Sequence, residues 1–453
     1  MTQITRVTGT YRVIAYPAGC WYCIPTAGDN IMSSADLLAA RRRTMGHGTL
    51  FYKEPIHIVE GNGVWLYDDT GRRYMDCYNN VPCVGHCHPH VVSAMHQQAG
   101  LLNTHSRYLS KVVVDYSERL LALHDDPLTT LQMVCSGTEA IELALRLART
   151  FTKGTGIICS NATYHGNSHE TFRMTVGPFE PEFRRVSFPD SYRPLEPDLS
   201  DDALCDRYLQ EIERAIAGFE ADGVPFAGML FCSIFANEGL PRVPAGYMQK
   251  AAKLVRNAGG VVIFDEVQAG FCRTGTWWGY QIMDCAPDIA AMGKPMGAGY
   301  PTGGVAARAD ILDTFFRRSG YFNTMAATPL QAAVANAVLD VIENENLQSQ
   351  VTKVGLHLKN KLAALVEQFE QVGDVRGHGL FLAIDWVTDK ESRTPDRDGA
   401  KAIVERLKKA GYLISNAGAH GNVLKVRPPL VFNQAHADEF FTAFETALSQ
   451  SAN

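Results

Sequence analysis

Short, wholly apolar runs alternate with helical stretches between about residues 90 and 340. Gly260-Val261-Val262-Ile263-Phe264 is the clearest of the runs. Fully apolar, β-branched segments of this kind are strands buried on both faces, so the alternation predicts a mostly parallel sheet clad by helices. Before it, the pattern from Ile56, IHIVEGNGVWLYDDTGRRYMDCY, predicts short strands broken by Gly-Asn-Gly and Asp-Thr-Gly turns. After it, Leu330 to Gln368 is one long helical pattern, and GDVRGHGLFLAIDWV and NVLKVRPPLVF predict strands separated by a helix over Ala400 to Lys409. The expected organisation is an N-terminal extension (1–31), the N-terminal part of a small domain (32–90), a large α/β domain (91–340) and a C-terminal small domain (341–453). No repeat or low-complexity tract interrupts it.

Composition narrows the function. At 453 residues, 46% hydrophobic and 20% charged, the chain is neither disordered nor fibrous. A net charge of −6 offers no basic surplus for a phosphate backbone, so a nucleic-acid partner is not expected. The longest apolar stretch, Phe226 to Ala236, is about 11 residues, against the roughly 20 that span a bilayer. No membrane association is expected, and residues 1–31 do not have the form of a signal peptide. Eleven cysteines, an odd number without paired spacing, suit the reducing cytoplasm. Cys20 and Cys23 lack the second pair a zinc site requires, and no metal is expected.

Three local signals carry chemistry. Cys135-Ser136-Gly137-Thr138-Glu139-Ala140 closes an apolar stretch and opens a helix whose polar positions Glu139, Glu142, Arg146 and Arg149 mark one solvated face. Small residues there leave backbone N–H groups free for an anion such as phosphate, although a plain capped helix has the same pattern. Phe264-Asp265-Glu266-Val267-Gln268 ends a buried strand in two carboxylates, which need a cationic partner or cap the next helix. Lys294 stands in the tight Met292-Gly293-Lys294-Pro295 loop, 29 residues after Asp265. A desolvated lysine loses its proton readily and becomes a nucleophile for aldehydes; an ordinary surface lysine is the alternative.

Together these pieces resemble the class III aminotransferases, pyridoxal-phosphate enzymes of fold type I. The resemblance runs from about residue 45 to 449: Ser136 to Ala140 matches SGxEA, Tyr164-His165-Gly166 matches YHG, Asp265 to Gln268 matches DEVQ, Lys294 matches the GK lysine and Phe322-Asn323-Thr324 matches FNT. It implies an α/β fold with a seven-stranded-type sheet and a small α+β domain drawn from both chain ends. It also implies pyridoxal 5'-phosphate as cofactor, with Lys294 as the Schiff-base lysine and Asp265 on the pyridine nitrogen. Gln268 would bond the ring oxygen and Tyr164 would stack on the ring. Gly137 and Thr138 would hold the cofactor phosphate, with Thr324 reaching over from the second subunit of a homodimer, or of a tetramer built from dimers.

Within the family, the branch of ethanolamine-phosphate and phosphohydroxylysine phospho-lyases and mitochondrial alanine–glyoxylate aminotransferase is the nearest match. Asn80-Val81 through Pro89, Asn103-Thr104, Ser106 to Leu109 and Pro189 to Arg193 fit that branch, and Ser392 to Pro395 and Asn422 to Pro429 fit its phospho-lyases. Many related transaminases carry, three residues before Pro-Pro, an arginine that clamps a carboxylate; this chain has Lys425, a point charge that suits a phosphate or phosphonate as well. Arg107 and Arg427 are further candidates at the substrate; the alternative for all three is a structural role, covering the surface or pairing with Asp and Glu. The usual Glu-Pro is Cys232-Ser233 here, and the Gly-Gly after FNT is Ala326-Ala327. The expectation is elimination of a group β to the amine of a small phosphate- or phosphonate-bearing compound, with ammonia released. Transfer of an amino group to a keto acid such as pyruvate or glyoxylate is the alternative.

Overall fold

A computed structural model describes residues 11–15, 21–25, 33–175 and 180–450. The chain divides into two compact units, residues 1–60 with 67–72, and residues 61–66 with 73–453. Much of the 1–31 extension, Cys20 included, lies outside the described residues; within it Tyr11–Ala15 and Trp21–Pro25 pair antiparallel, Val13 opposite Cys23. In the smaller unit Ser33 caps the helix Ser34–Met45 by accepting the Asp36 N–H at 3.1 Å.

The larger unit holds a seven-stranded sheet of β1 (Thr130–Val134), β2 (Gly156–Ser160), β3 (Phe183–Val186), β4 (Phe226–Cys232), β5 (Val261–Asp265), β6 (Ile289–Met292) and β7 (Gly303–Ala307). Their spatial order is β1-β7-β6-β5-β4-β2-β3. Pairs from β6 through β3 are parallel, and β7 runs antiparallel to both its neighbours. The strands β2, β4, β5, β6 and β7 are almost wholly buried, as their unbroken apolar runs require. Helix α1 (Gly137–Thr152) lays Ala140, Ile141, Ala144, Leu147 and Ala148 on the sheet and joins its core.

A second sheet is built from β8 (Val372–His378), β9 (Phe381–Asp389), β10 (Ser415–Ala417) and β11 (Val423–Val426), ordered β8-β9-β11-β10. The helix Arg397–Ala410 precedes Tyr412–Leu413, which pairs in parallel with Arg73–Asp76, so segments from both ends of the chain share a sheet. The long helical pattern from Leu330 is broken in the structure. Two helices, Pro329–Asn344 and Leu347–Ala363, meet at Asn346, which adopts a left-handed φ of 51° that asparagine tolerates better than most residues.

Candidate active site

The carboxyl ends of β2, β4, β5 and β6, with the start of α1, meet along one edge of the large sheet, where open α/β sheets gather functional groups. Ser136 caps α1 by accepting the Glu139 N–H at 3.2 Å, and the Glu139 carboxylate reaches back to the Cys135 N–H at 2.8 Å. Asn323 donates to the same carboxylate at 2.9 Å, which ties the Phe322-Asn323-Thr324 segment to the helix start.

This corner has no room for side chains on its glycines. A Cβ on Gly137 would lie 2.9 Å from Val267 Cγ1, and one on Gly293 would lie 2.9 Å from the Gly137 Cα and N. Gly166, at φ 138°, would put its Cβ 2.7 Å from Thr138 Oγ1. The start of α1, the Lys294 loop and the turn after Tyr164 are thereby pressed together. What remains exposed is backbone N–H at a helix N-terminus, a cradle for an anion.

Asp265 closes β5. Its Oδ1 accepts the Val267 N–H at 2.9 Å, and its Oδ2 pairs with His165 Nδ1 at 2.7 Å; His165 Nε2 meets Thr163 Oγ1 at 2.5 Å. All three side chains are buried. The buried carboxylate is thus oriented by a histidine and a backbone N–H but is matched by no lysine or arginine salt bridge among the described residues. Lys294 follows β6, and burial, aided by the Arg427 guanidinium and opposed by Asp265, pulls its ammonium below the ordinary lysine range. A lysine so placed has a larger share of the free-amine form.

Gln268 lies between two partners. Its Nε2 donates to Asn237 Oδ1 at 2.9 Å, and its Oε1 accepts from Arg427 Nη1, leaving one N–H of that amide. Asn237 in turn donates to the Tyr164 carbonyl at 2.9 Å, and Tyr164 itself is half-exposed. Arg427 also donates to the Tyr78 carbonyl at 2.8 Å, its guanidinium 4.4 Å from the Tyr78 ring centre.

Lys425 is buried on β11, 5.8 Å from the Phe381 ring centre, and no carboxylate among the described residues lies within salt-bridge distance of it. Burial and then the neighbouring Arg427 push its ammonium well below the usual range, Cys232 and Glu238 opposing and Lys294 adding to the effect. Glu238, also buried, accepts from Ser160 Oγ through Oε1, while its Oε2 has no hydrogen-bond partner among the described residues; burial lifts its carboxyl above the ordinary carboxylate range, making it a weaker acid.

Of the ten site residues read from the sequence, Gly137, Thr138, Tyr164, Asp265, Gln268, Lys294, Lys425 and Arg427 share this neighbourhood. Arg107 does not: it stacks 4.0 Å from the Phe322 ring centre, on a surface where Tyr108, Leu109, Phe322 and Met325 are exposed. Thr324 is exposed on the same segment. Sequence reasoning missed His165 as partner of Asp265, Asn237 as partner of Gln268, and the Ser160–Glu238 pair. His165 was already visible in the YHG motif, but nothing in sequence spacing pairs residues 100 positions apart.

A model of the family described as aminotransferase class-III matches residues 51–448. A fruit-fly (Drosophila melanogaster) protein named alanine–glyoxylate aminotransferase 2-like is 38% identical over 436 residues, covering 92% of this chain and 88% of that one. The Caenorhabditis elegans ethanolamine-phosphate phospho-lyase homolog 1 is 34% identical, covering 93% of this chain and 95% of its own. Among solved structures, a phospholyase from Arthrobacter in complex with phosphoethanolamine superposes with a TM-score of 0.89 at 42% identity, over 91% of this chain and 99% of that one. A PMP-bound aminotransferase from Vibrio fluvialis shares the fold, with a TM-score of 0.84 at 23% identity.

Proposed function

The chain belongs to the class III aminotransferase family, the pyridoxal-phosphate enzymes of fold type I, and from that premise we propose that it is a lyase eliminating a group β to the nitrogen of a small phosphate- or phosphonate-bearing primary amine, with ammonia released. The residues present fit the cofactor. Glycines whose Cβ would collide leave a phosphate cradle at α1, Asp265 is a buried carboxylate without a lysine or arginine partner, and Gln268 keeps one amide N–H. Gly137 and Thr138 would hold the phosphate, Asp265 the protonated ring nitrogen, Gln268 the ring oxygen, Tyr164 the ring face and Lys294 the aldehyde carbon. When bound, the group supplies an electron sink for charge that develops on the carbon next to the substrate nitrogen.

The side chains divide the remaining work. Lys294 Nζ, kept partly unprotonated by burial, takes the proton from the carbon bearing the amine. Asp265 would keep the ring nitrogen charged, and His165 with the Val267 N–H fixes the direction of its carboxylate. Lys425 Nζ, with Arg427 beside it, would meet the substrate's anionic group, holding a phosphonate in place or stabilising a phosphate as it departs. The observation that carries the lyase reading is this buried lysine, beside Arg427 and without a carboxylate partner among the described residues: burial disfavours its charged form in the empty site, and a substrate phosphate would supply the counterion that the ammonium lacks.

Aminotransferase-named relatives support the second reading, transfer of the amine nitrogen to a keto acid when no leaving group is present. Incubation with phosphoethanolamine, a hydroxylated aminoethylphosphonate and an amine–keto acid pair separates the two. The lyase releases ammonia from both phosphorus compounds, with inorganic phosphate from phosphoethanolamine and with the carbon–phosphorus bond kept in the phosphonate, whereas new amino acid without ammonia release would make the protein a transaminase.

Assembly and setting belong to the same proposal. A homodimer with shared sites is supported by the exposed apolar side chains of Tyr108, Leu109, Phe322 and Met325 around Thr324 and Arg107, which would then serve the partner's site. Among the described residues no helix is long and apolar enough to cross a membrane. Nine of the described cysteines are free thiols, which supports a reducing, cytoplasmic setting.

A further inference from the structure

Two segments singled out in the sequence have no part in the chemistry above, Pro189 to Arg193 and Ser392 to Pro395. The fold brings them together. Arg193 Nε donates to the Arg393 carbonyl at 2.8 Å, and Arg393 donates to the Tyr192 carbonyl. The Arg193 guanidinium holds Asp385 with two bonds, at 2.5 and 2.8 Å. Asp385, on β9 and fully buried, also accepts from Asn422 at 2.8 Å and from Arg376 Nη2 at 2.9 Å. Arg376 Nη1 continues to Asp374 at 3.1 Å, and Asp374 is gripped from its far side by Arg242 at 2.5 and 3.1 Å. Three guanidinium groups, those of Arg193, Arg393 and Arg376, lie 4.9, 5.0 and 5.7 Å from the Tyr192 ring centre.

Arg376 is the member of this network that reaches the loop after β4, the loop that carries Asn237. Its Nε donates to the Leu240 carbonyl at 2.7 Å and to the Gly239 carbonyl at 3.2 Å, and its Nη2 donates to Gly239 again at 3.0 Å. Immediately before those carbonyls stand Glu238, bonded to Ser160, and Asn237, which holds both Gln268 and the Tyr164 carbonyl. The segment has little other freedom, since a Cβ on Gly239, at φ 110°, would already lie 3.0 Å from Val423 Cγ2. A planar fork that satisfies two carboxylates and two carbonyls at once is a task arginine performs and lysine does not.

We propose that Arg376 is a positioning residue for the ring-oxygen side of the active site, fixing Asn237 through the Gly239 and Leu240 carbonyls and thereby aiming the remaining N–H of Gln268. It rests on the assignment of Lys294 and Gln268 to the cofactor. A fixed donor at the ring oxygen stabilises negative charge there most when the adjoining nitrogen is unprotonated, so it lowers the pH at which the Lys294-bound cofactor changes its visible absorption.

The test is a spectroscopic titration of holoenzyme. Arg376→Lys keeps the charge facing Asp374 and Asp385 but loses the fork. Its absorption midpoint is expected to move upward by about 0.5 pH units or more, a roughly threefold change in the equilibrium. Asn237→Ala is expected to move it in the same direction, and the double variant no further than Asn237→Ala alone, because both act along one path. An Arg376→Lys midpoint within about 0.1 units of wild type, or shifts that simply add, would overturn the proposal. Should Arg376→Lys fail to fold, Asp374→Asn loosens the same guanidinium from outside and is expected to give a smaller upward shift, no shift being the refuting result. Borohydride trapping in the same samples separates the layers. Wild-type protein unlabelled at Lys294 would remove the cofactor assignment and this proposal with it, whereas labelled protein without a shift would remove the role of Arg376 alone.

Discussion

Replacing Lys425 with methionine keeps an unbranched side chain one atom shorter and removes its charge, and the structure gives the two consequences opposite signs. The ammonium is 3% exposed, faces Phe381 and has cationic Arg427 and Lys294 as neighbours. Replacing buried ion pairs with apolar residues of similar volume stabilises by up to about 1–4 kcal/mol, and removing this uncompensated ammonium acts in the same direction at pH values where it is protonated, with that range as the upper bound. For a chain of this size, with an unfolding entropy of roughly 2.1 cal/mol/K per residue, that raises the melting temperature by about 1–4 °C. Substrate binding moves the other way. Loss of a charged hydrogen bond worth about 1.5–3 kcal/mol raises KM for phosphoethanolamine by roughly 10- to 150-fold. The pH dependence adds a second check. A lysine held below its ordinary value is largely unprotonated in the empty site at alkaline pH and takes up a proton when a phosphate arrives. KM is therefore expected to rise with pH across the window between the lowered value and the ordinary 10.5, and Lys425→Met to flatten that rise. In the same window the unfolded chain binds more protons than the folded one, so this lysine makes the substrate-free protein gain stability as pH rises. Scanning calorimetry and steady-state kinetics on the two proteins suffice. A variant with unchanged KM and a lower melting temperature would refute the reasoning, and transamination would become the better reading.

Other expectations follow from the same geometry. Asp265→Asn should keep the fold, with an amide oxygen still able to accept the Val267 N–H, yet lose on the order of 10³-fold in turnover as the charge opposite the ring nitrogen disappears; rates within about tenfold of wild type would place Asp265 outside the chemistry. Burial lifts Glu266 to about 7 despite N–H donors from Gly279 and Tyr280 at 2.8 and 3.0 Å. Since the folded chain then binds the extra proton, stability should fall as pH rises from about 4.5 to 7, by about 3 kcal/mol, and Glu266→Gln should remove that slope in melting curves. Thr324→Ala should weaken cofactor retention on gel filtration in proportion to dimer content, and a fully active wild-type monomer in light scattering would remove the shared-site proposal.

The motifs that were legible without coordinates are those whose chemistry is local. Ser136 and Glu139 cap a helix within four residues, Asp265 ends its own apolar strand, and Lys294 follows the next strand directly; each depends on backbone states that neighbouring residues determine. The single helical pattern from Leu330 to Gln368 was misleading for the same reason: periodicity continues across Asn346, and only the left-handed backbone there divides it into two helices.

Sequence alone thus determined the fold class, through periodicity, and the cofactor, through the resemblance that its short motifs carry, and it named the groups proposed to meet that cofactor. The tertiary structure decided which of those groups share a site. His165 reaches Asp265 across 100 residues and Arg376 reaches Gly239 across 137, contacts set by which strands become neighbours in the sheet order β5-β4-β2 and by how β8 docks against the loop after β4. It also separated Lys425, enclosed beside Arg427, from Arg107, stacked on Phe322 at the exposed surface. Charge, size and spacing along a chain say what a side chain can do; burial and the company it keeps, which shift its proton affinity and leave it paired or unpaired, arise only when distant segments pack.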